Sequence, residues 1–371
     1  MTIDFENPKH ENVVKSYIPN KAILPGRIIA KTLNREGMTQ KGLCERMGIS
    51  EKHLSQIING EASITVETSL LLENALGGSA SFWINLESNY QETMARIERL
   101  SLIKKEVPLL NKFPYNELAK RSYVEQTTSR EKKVENLWKF FGVNSLSYIS
   151  TTENVAFRKI KTSDIKSESI AAWLRCGELE AKKQILPEYS EAKLRQNLGK
   201  IKLLSLKEPE EYSIEIVKLL NDAGVAIIYI AHFPGTGVSG AVRWINNVPV
   251  IQLSLYYPWA DIFWFNLFHE IGHLLLHGKK EKFIEFDKKE HVLEKNKEDE
   301  ADKFASNELI PLKDYTHFLE SNSAFTRNNL EEFAKLLKIH HGIVAGRLCH
   351  DGKVNWKSVS SIRPRLRLGS E

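Results

Sequence analysis

Apolar positions return along this chain in two rhythms, and the change of rhythm divides it. Within residues 21–98 they recur every three or four positions, in short blocks closed by glycine or asparagine. That spacing predicts short helices joined by tight turns. Leu43 and Met47 share one face of the first such helix, with Thr39 as its N-cap. Leu54, Ile57 and Ile58 share one face of the next, which Ser50 caps and Asn59-Gly60 ends. Residues 101–205 read as helical and rich in Lys and Glu, and residues 1–20 as a polar arm. Within residues 206–350 the rhythm changes. "GVAIIYI" (224–230) is a continuous apolar run, and "SGAVRWI" and "VPVIQLSL" flank Asn246-Asn247, which together predict strands and a hairpin. Two helical stretches follow, "FWFNLFHEIGHLLLH" and "KEDEADKFASNELIP", the second stopped by Pro311. The expected architecture is an α+β multidomain chain: an all-α N-terminal domain (21–98), a helical connecting region (101–205), an α+β domain (206–350) and a frayed basic tail (351–371).

Composition narrows the class without naming a function. The 371 residues are 42% hydrophobic and 27% charged, as in an ordinary globular protein. No apolar run approaches the roughly 20 residues of a bilayer span, so no membrane partner is expected. The N-terminus lacks the basic and apolar blocks of a secretory signal, and three scattered cysteines argue against a disulfide framework. Both point to the cytoplasm. A net charge of +5 alone does not imply nucleic acid.

The chemistry sits where the chain is greasiest. His269 and His273 are four apart, so on a helix they share a face and present two imidazoles to one point. Glu270 lies about 100° round, in reach of water at that point. This H-E-x-x-H arrangement supplies two zinc ligands and a general base. Catalytic zinc takes a third protein ligand. Lys279 stands where a histidine would be ten residues past His269, and His277 is two turns up, too far to share the ion. The remaining source is a carboxylate of the next helix. Glu300 lies four before the apolar Phe304 and is the candidate, with Glu298 and Asp299 as alternatives. An oxyanion stabiliser is also needed; Tyr256, Tyr257 and His232 are the candidates.

"HEIGH", followed 27 residues later by "EADKFA" and then "LIP", resembles the ImmA/IrrE metallopeptidases across residues 206–315. The resemblance implies a gluzincin-like fold, Zn2+ held by His269, His273 and Glu300, and Glu270 as catalytic base. It also implies a protein substrate, since members cleave helix-turn-helix repressors.

The N-terminal pair of helices has the spacing of a DNA-binding helix-turn-helix. Its second helix would present Lys52, His53, Ser55 and Gln56, flanked by Ser50 and Asn59, and Gln40 at the start of the first could reach a phosphate. Residues 21–60 carry seven Lys/Arg and three Asp/Glu, whereas 61–98 carry one and six, so the basic half would face DNA. "IINGE" and "ALGGSASFWINL" make residues 22–90 resemble HigA-type antitoxins of the Xre class. That resemblance implies operator DNA as partner, a homodimer, and a partner ribonuclease toxin. In the middle region, "AAWLRCGELEAKK" places Trp173, Leu174 and Leu179 as packing residues, with Arg175 pairing Glu178 and Glu180. The combined expectation is an operator-binding regulator whose zinc endopeptidase domain cleaves a partner repressor or the protein itself. The alternative is an antitoxin-like repressor whose peptidase fold only senses or binds a partner.

Overall fold

The computed structural model describes residues 22–149, 166–254, 256–278, 283–286 and 295–366; the expected arm and Lys279 lie outside them. The chain divides into two compact units between Glu106 and Val107.

The first unit is all helix: α1 (Pro25–Glu36), α2 (Gln40–Met47), α3 (Glu51–Asn59), α4 (Val66–Leu76) and α5 (Ala80–Glu106). The caps are those the sequence offers. The Thr39 hydroxyl accepts from the Gly42 amide at 3.1 Å, and the Ser50 hydroxyl from the His53 amide at 3.2 Å. Gly48 (φ 67°) and Gly60 (φ 79°) adopt the left-handed conformation that ends α2 and α3. Ile29, Leu33, Leu43, Met47, Leu54, Ile57, Leu72 and Trp83 close one core, with Cys44 packed into it and Ile58 half-buried. A Cβ on Gly26 would fall on the Ile58 carbonyl oxygen, so only glycine lets α1 cross the end of α3 this closely. The domain end expected at residue 98 falls inside α5, which runs without a break to Glu106.

In the second unit come α6 (Tyr115–Lys120), α7 (Arg130–Phe141), α8 (Ser167–Ala181), α9 (Glu191–Leu203) and α10 (Pro209–Asp222). Then follow β1 (Ala226–Tyr229), β2 (Val238–Ile245), β3 (Val248–Leu253), α11 (Ala260–Leu276) and β4 (Phe283–Phe286). The last helices are α12 (Lys295–Leu309), α13 (Leu312–Ser321), α14 (Arg327–Leu337) and α15 (His341–His350). The sheet order is β1-β3-β2-β4, parallel between β1 and β3 and antiparallel elsewhere. Asn246 and Asn247 both take positive φ (49° and 67°), the conformation of a two-residue hairpin turn, and the β2–β3 register closes on Ile245 and Val248.

Strand residues alternate between two packed faces. Ile227, Val242, Ile251 and Leu253 join a core with Phe263, Leu267, Phe268 and Ile271 of α11. Gln252, between Ile251 and Leu253 in sequence, turns the other way and donates to the Trp173 carbonyl of α8 at 2.8 Å. Trp173 is fully buried, and its indole donates to the Ile230 carbonyl at 2.9 Å. The middle region therefore continues the second unit instead of bridging domains. Leu174 is buried and Leu179 half-buried; Arg175 pairs with Glu178 at 2.6 Å, while Glu180 pairs with Lys183.

The tail departs from expectation. As far as Leu366 it is packed, not frayed. The Ala260 amide donates to the Pro364 carbonyl and the Leu366 amide to the Pro258 carbonyl, both at 3.0 Å. Val359, Ile362 and Leu366 enter the core of this unit. Arg363 pairs with Asp261 at 2.8 Å, each side chain 5% exposed, and its guanidinium lies over Trp259 and Trp356. What reads as a basic tail is a strap tied by one buried ion pair and three apolar side chains.

Candidate functional site

The site forms where α11 and α12 cross. Gly272 makes the crossing close: a Cβ there would lie 3.0 Å from the Phe304 ring and 3.3 Å from the Ala301 backbone. Ala301 and Ala305 are small enough to meet it and are fully buried. His269, Glu270 and His273 on α11 are buried to within 1%. The His269 and His273 Nε2 atoms are 2.9 Å apart, and Glu298 Oε2 is 3.1 Å from the first and 3.3 Å from the second. These three atoms are the cluster the described residues offer a metal ion. On the far side of the ring, His269 Nδ1 lies 2.9 Å from Asp302 Oδ1. Burial pushes the His273 imidazole below its ordinary value, so it is neutral at neutral pH. Burial alone would raise Glu298, but its contacts with the two imidazoles outweigh that and hold the carboxyl well below the usual range.

Glu300 does not join the pair. Its side chain is 59% exposed and sits 3.8 Å from His277 Nδ1, while His277 Nε2 donates to the Lys297 carbonyl at 3.2 Å. The reason is helical phase. The buried stripe of α12 runs Ala301, Ala305, Leu309, with Phe304 only half-buried. Glu298, three before Ala301, lies on that stripe; Glu300 lies about 100° away. The usable signal was the pair Glu298 and Asp302, two acids four apart that meet one histidine from one helical face. Asp299 is exposed and lines the cavity beside the cluster.

Glu270 is seated under the sheet. A Cβ on Gly240 of β2 would fall on its Oε1, so this glycine makes the room for the carboxyl. A cavity of about 1060 Å³ opens from His269 and Glu298. Its walls are α11 (Asp261, Ile262, Phe265, Asn266), α12 (Asp302, Ser306, Leu309), α15 and the strap. Of the oxyanion candidates, Tyr257 lines it; Tyr256 stacks edge-on between Tyr257 and His232, farther back.

In the first unit, Gln40, Ser50, Lys52 and Asn59 are exposed, and His53, Ser55 and Gln56 half-buried. The Ser50 hydroxyl is engaged as a helix cap, and the Asn59 amide donates to the Ser55 hydroxyl at 3.4 Å. No helix among the described residues is long and apolar enough to cross a membrane.

Comparison with known proteins agrees with both halves. Residues 29–83 match the helix-turn-helix family, and residues 260–348 match the IrrE N-terminal-like domain. Virulence-associated protein I of Dichelobacter nodosus is 29% identical over 82 residues, 22% of this chain and 76% of that protein. An addiction module antidote protein of the HigA family from Coxiella burnetii is 33% identical, covering 23% of this chain and 95% of that one, with a TM-score of 0.22. One chain thus carries an N-terminal region that matches the helix-turn-helix family and a C-terminal region that matches the IrrE N-terminal-like domain family.

Proposed function

We propose that this protein is a cytoplasmic DNA-binding regulator whose second unit is a zinc-dependent endopeptidase acting on a regulatory protein. The observation that carries this is the convergence of two imidazole nitrogens and one carboxylate oxygen beside a buried glutamate. A tetrahedral zinc with ligands at about 2.0–2.1 Å sets them roughly 3.3 Å apart, close to the 2.9, 3.1 and 3.3 Å found here. The donor set fits in orientation as well. With Nδ1 of His269 set against Asp302, its Nε2 faces Glu298 and His273, the side on which a cation would be held.

His269, His273 and Glu298 would hold the ion, and Asp302 would fix the tautomer and angle of His269. Bound there, zinc supplies Lewis-acid polarisation of water and of a peptide carbonyl. Glu270 takes the proton from water as its oxygen adds to the carbonyl carbon, then passes it to the departing amide nitrogen. Tyr257 is the nearest candidate to donate to the developing oxyanion. In the first unit, Gln40, Ser50, Lys52, His53, Ser55, Gln56 and Asn59 form the DNA-facing set, with Lys52 and Gln56 reading base edges and Ser50 serving chiefly as the cap of their helix. The helix-turn-helix class binds operators as dimers, and a homodimer is the expected state.

The test is full-length protein loaded with zinc, incubated with the proteins encoded beside its gene, with products identified by mass spectrometry. Wild type should cut a partner repressor, a toxin or itself. Glu270→Gln should retain zinc and DNA but not cut. A second reading has its own support, since the HigA-like relative is an antidote protein. There the peptidase fold binds a partner or signal without cleavage. If regulation in cells survives Glu270→Gln, the second reading stands and the first falls.

A further inference from the structure

The cavity beside the candidate metal cluster extends away from it, and its far end is built by the strap. Resting on the peptidase reading above, we propose that this cavity is a substrate groove that selects an extended, largely apolar peptide segment carrying an Asp or Glu three or four residues from the scissile bond, and that Lys357 is the residue that reads the acid.

Volume is the first ground. At about 1060 Å³ the cavity stands at the top of the ~300–1,000 Å³ range of ligand pockets and has room for a run of peptide. Direction follows from its walls. On α11 the lining residues step from His269 back through Phe265 and Ile262 to Asp261, eight residues away. At about 1.5 Å per helical residue that is ~12 Å, which an extended peptide at about 3.3 Å per residue crosses in three to four residues. Along the way the walls are Ile262, Phe265, Leu309, Ile310 and Ile343, so the intervening side chains are apolar.

The charge at each end supplies the rest. Next to the cluster the charged lining residues are Lys295, Glu298, Asp299 and Asp302, acidic on balance. At the Asp261 end the charged lining residues are Asp261, Arg363, Arg347 and Lys357. That end is one place. Asp261 bonds Arg363, Trp356 next to Lys357 stacks on Arg363, and Gly346 next to Arg347 packs on Asp261. Arg363 and Asp261 neutralise one another in the wall, and Arg347 is held by Asp351 at 2.8 Å. Lys357 is exposed and has no ion-pair partner among the described residues. A cation on an exposed rim beside two tryptophans, across an apolar floor from the cluster, complements an acidic side chain.

The test uses binding so that it does not depend on turnover. Zinc-loaded full-length Glu270→Gln is used to select from a displayed library of randomised dodecapeptides, and the same selection is run with Glu270→Gln/Lys357→Glu. The first should enrich Asp or Glu at a fixed position three or four from an apolar run; the second should enrich Lys or Arg there. For one selected peptide, Glu→Gln at that position should weaken binding about tenfold for the Lys357 protein, the cost of one close charge pair. For the Lys357→Glu protein the same peptide change should strengthen binding, because it removes a like-charge contact. Circular dichroism and zinc content establish that both proteins are folded. Selected peptides with no acid preference, the same preference from both proteins, or no selected peptide at all would each overturn the proposal. Acid-selective binding without cleavage by wild type would leave the groove standing and remove the peptidase reading; cleavage of partners with no such preference would do the reverse.

Discussion

Glu298 and Glu300 differ by two positions and about 200° of helix, and that angle separates the candidate ligand from a bystander. Glu298→Gln should abolish tight zinc binding in a chelator competition, whereas Glu300→Gln should bind zinc like wild type. Asp302→Asn should fall between, weakening zinc about 10–100-fold, as outer carboxylates behind a metal-bound histidine do. Zinc lost from the Glu300 variant and kept by the Glu298 variant would reverse the assignment. The histidine pair and Glu270 were legible because spacing alone places them: four apart on one helix means one face, and one apart means a neighbouring face. The third acid was not, because its helix carries acids at 298, 299, 300 and 302, and only the packing of Ala301 and Ala305 against Gly272 sets which of them turns inward. Gly240 was invisible for a related reason. Its role is a distance to a side chain 30 residues away, and nothing local announces it. Gly240→Ala should displace the Glu270 carboxyl and suppress cleavage while zinc stays bound at wild-type stoichiometry. Normal cleavage by that variant would mean Glu270 moves aside without consequence.

Among the elements, the caps and turns were the most legible, since Thr39, Ser50, Gly48 and the Asn246-Asn247 pair each fix local backbone by their own chemistry. Long-range ties were hidden. The strap reads as frayed because its apolar positions are sparse, yet Arg363 finds Asp261, 102 residues earlier, and the pair is buried. Removing one member of a buried pair typically costs about 3–5 kcal/mol, because the other charge is left uncompensated. Arg363→Met should therefore lower the melting temperature of the second unit substantially, and Asp261→Asn added to it should restore part of the loss. If Arg363→Met is neutral, the strap does not hold the cavity wall. Gly26→Ala plays the corresponding part in the first unit. The new methyl meets backbone, which cannot rotate away, so roughly 1–3 kcal/mol of destabilisation is expected. At about 4–8 °C per kcal/mol for a domain of this size, calorimetry resolves it easily.

For the whole molecule, two cores with separate chemistries imply two separable equilibria. The first unit closes its core with residues from α1 to α5 alone, and the candidate ligands all lie on two helices of the second. An ion that binds only the folded second unit stabilises it by mass action, about 2.7 kcal/mol at a hundredfold excess over its dissociation constant. Calorimetry of the full chain should therefore show two transitions, of which chelation lowers only one. Gly26→Ala should lower only the other. The same separation governs DNA. Operator affinity should fall linearly in log–log with salt, at a slope of about −0.9 per phosphate neutralised. Lys52→Gln should flatten that slope by about one if Lys52 meets a phosphate. It should relax base preference instead if Lys52 meets a guanine edge. Neither result should respond to chelator, because no candidate DNA contact belongs to the metal cluster. Operator binding that disappears on chelation would show that the two units act as one machine, with the metal as its switch; binding indifferent to metal would leave action on a protein partner, by cleavage or by binding, as the route from the second unit to transcription.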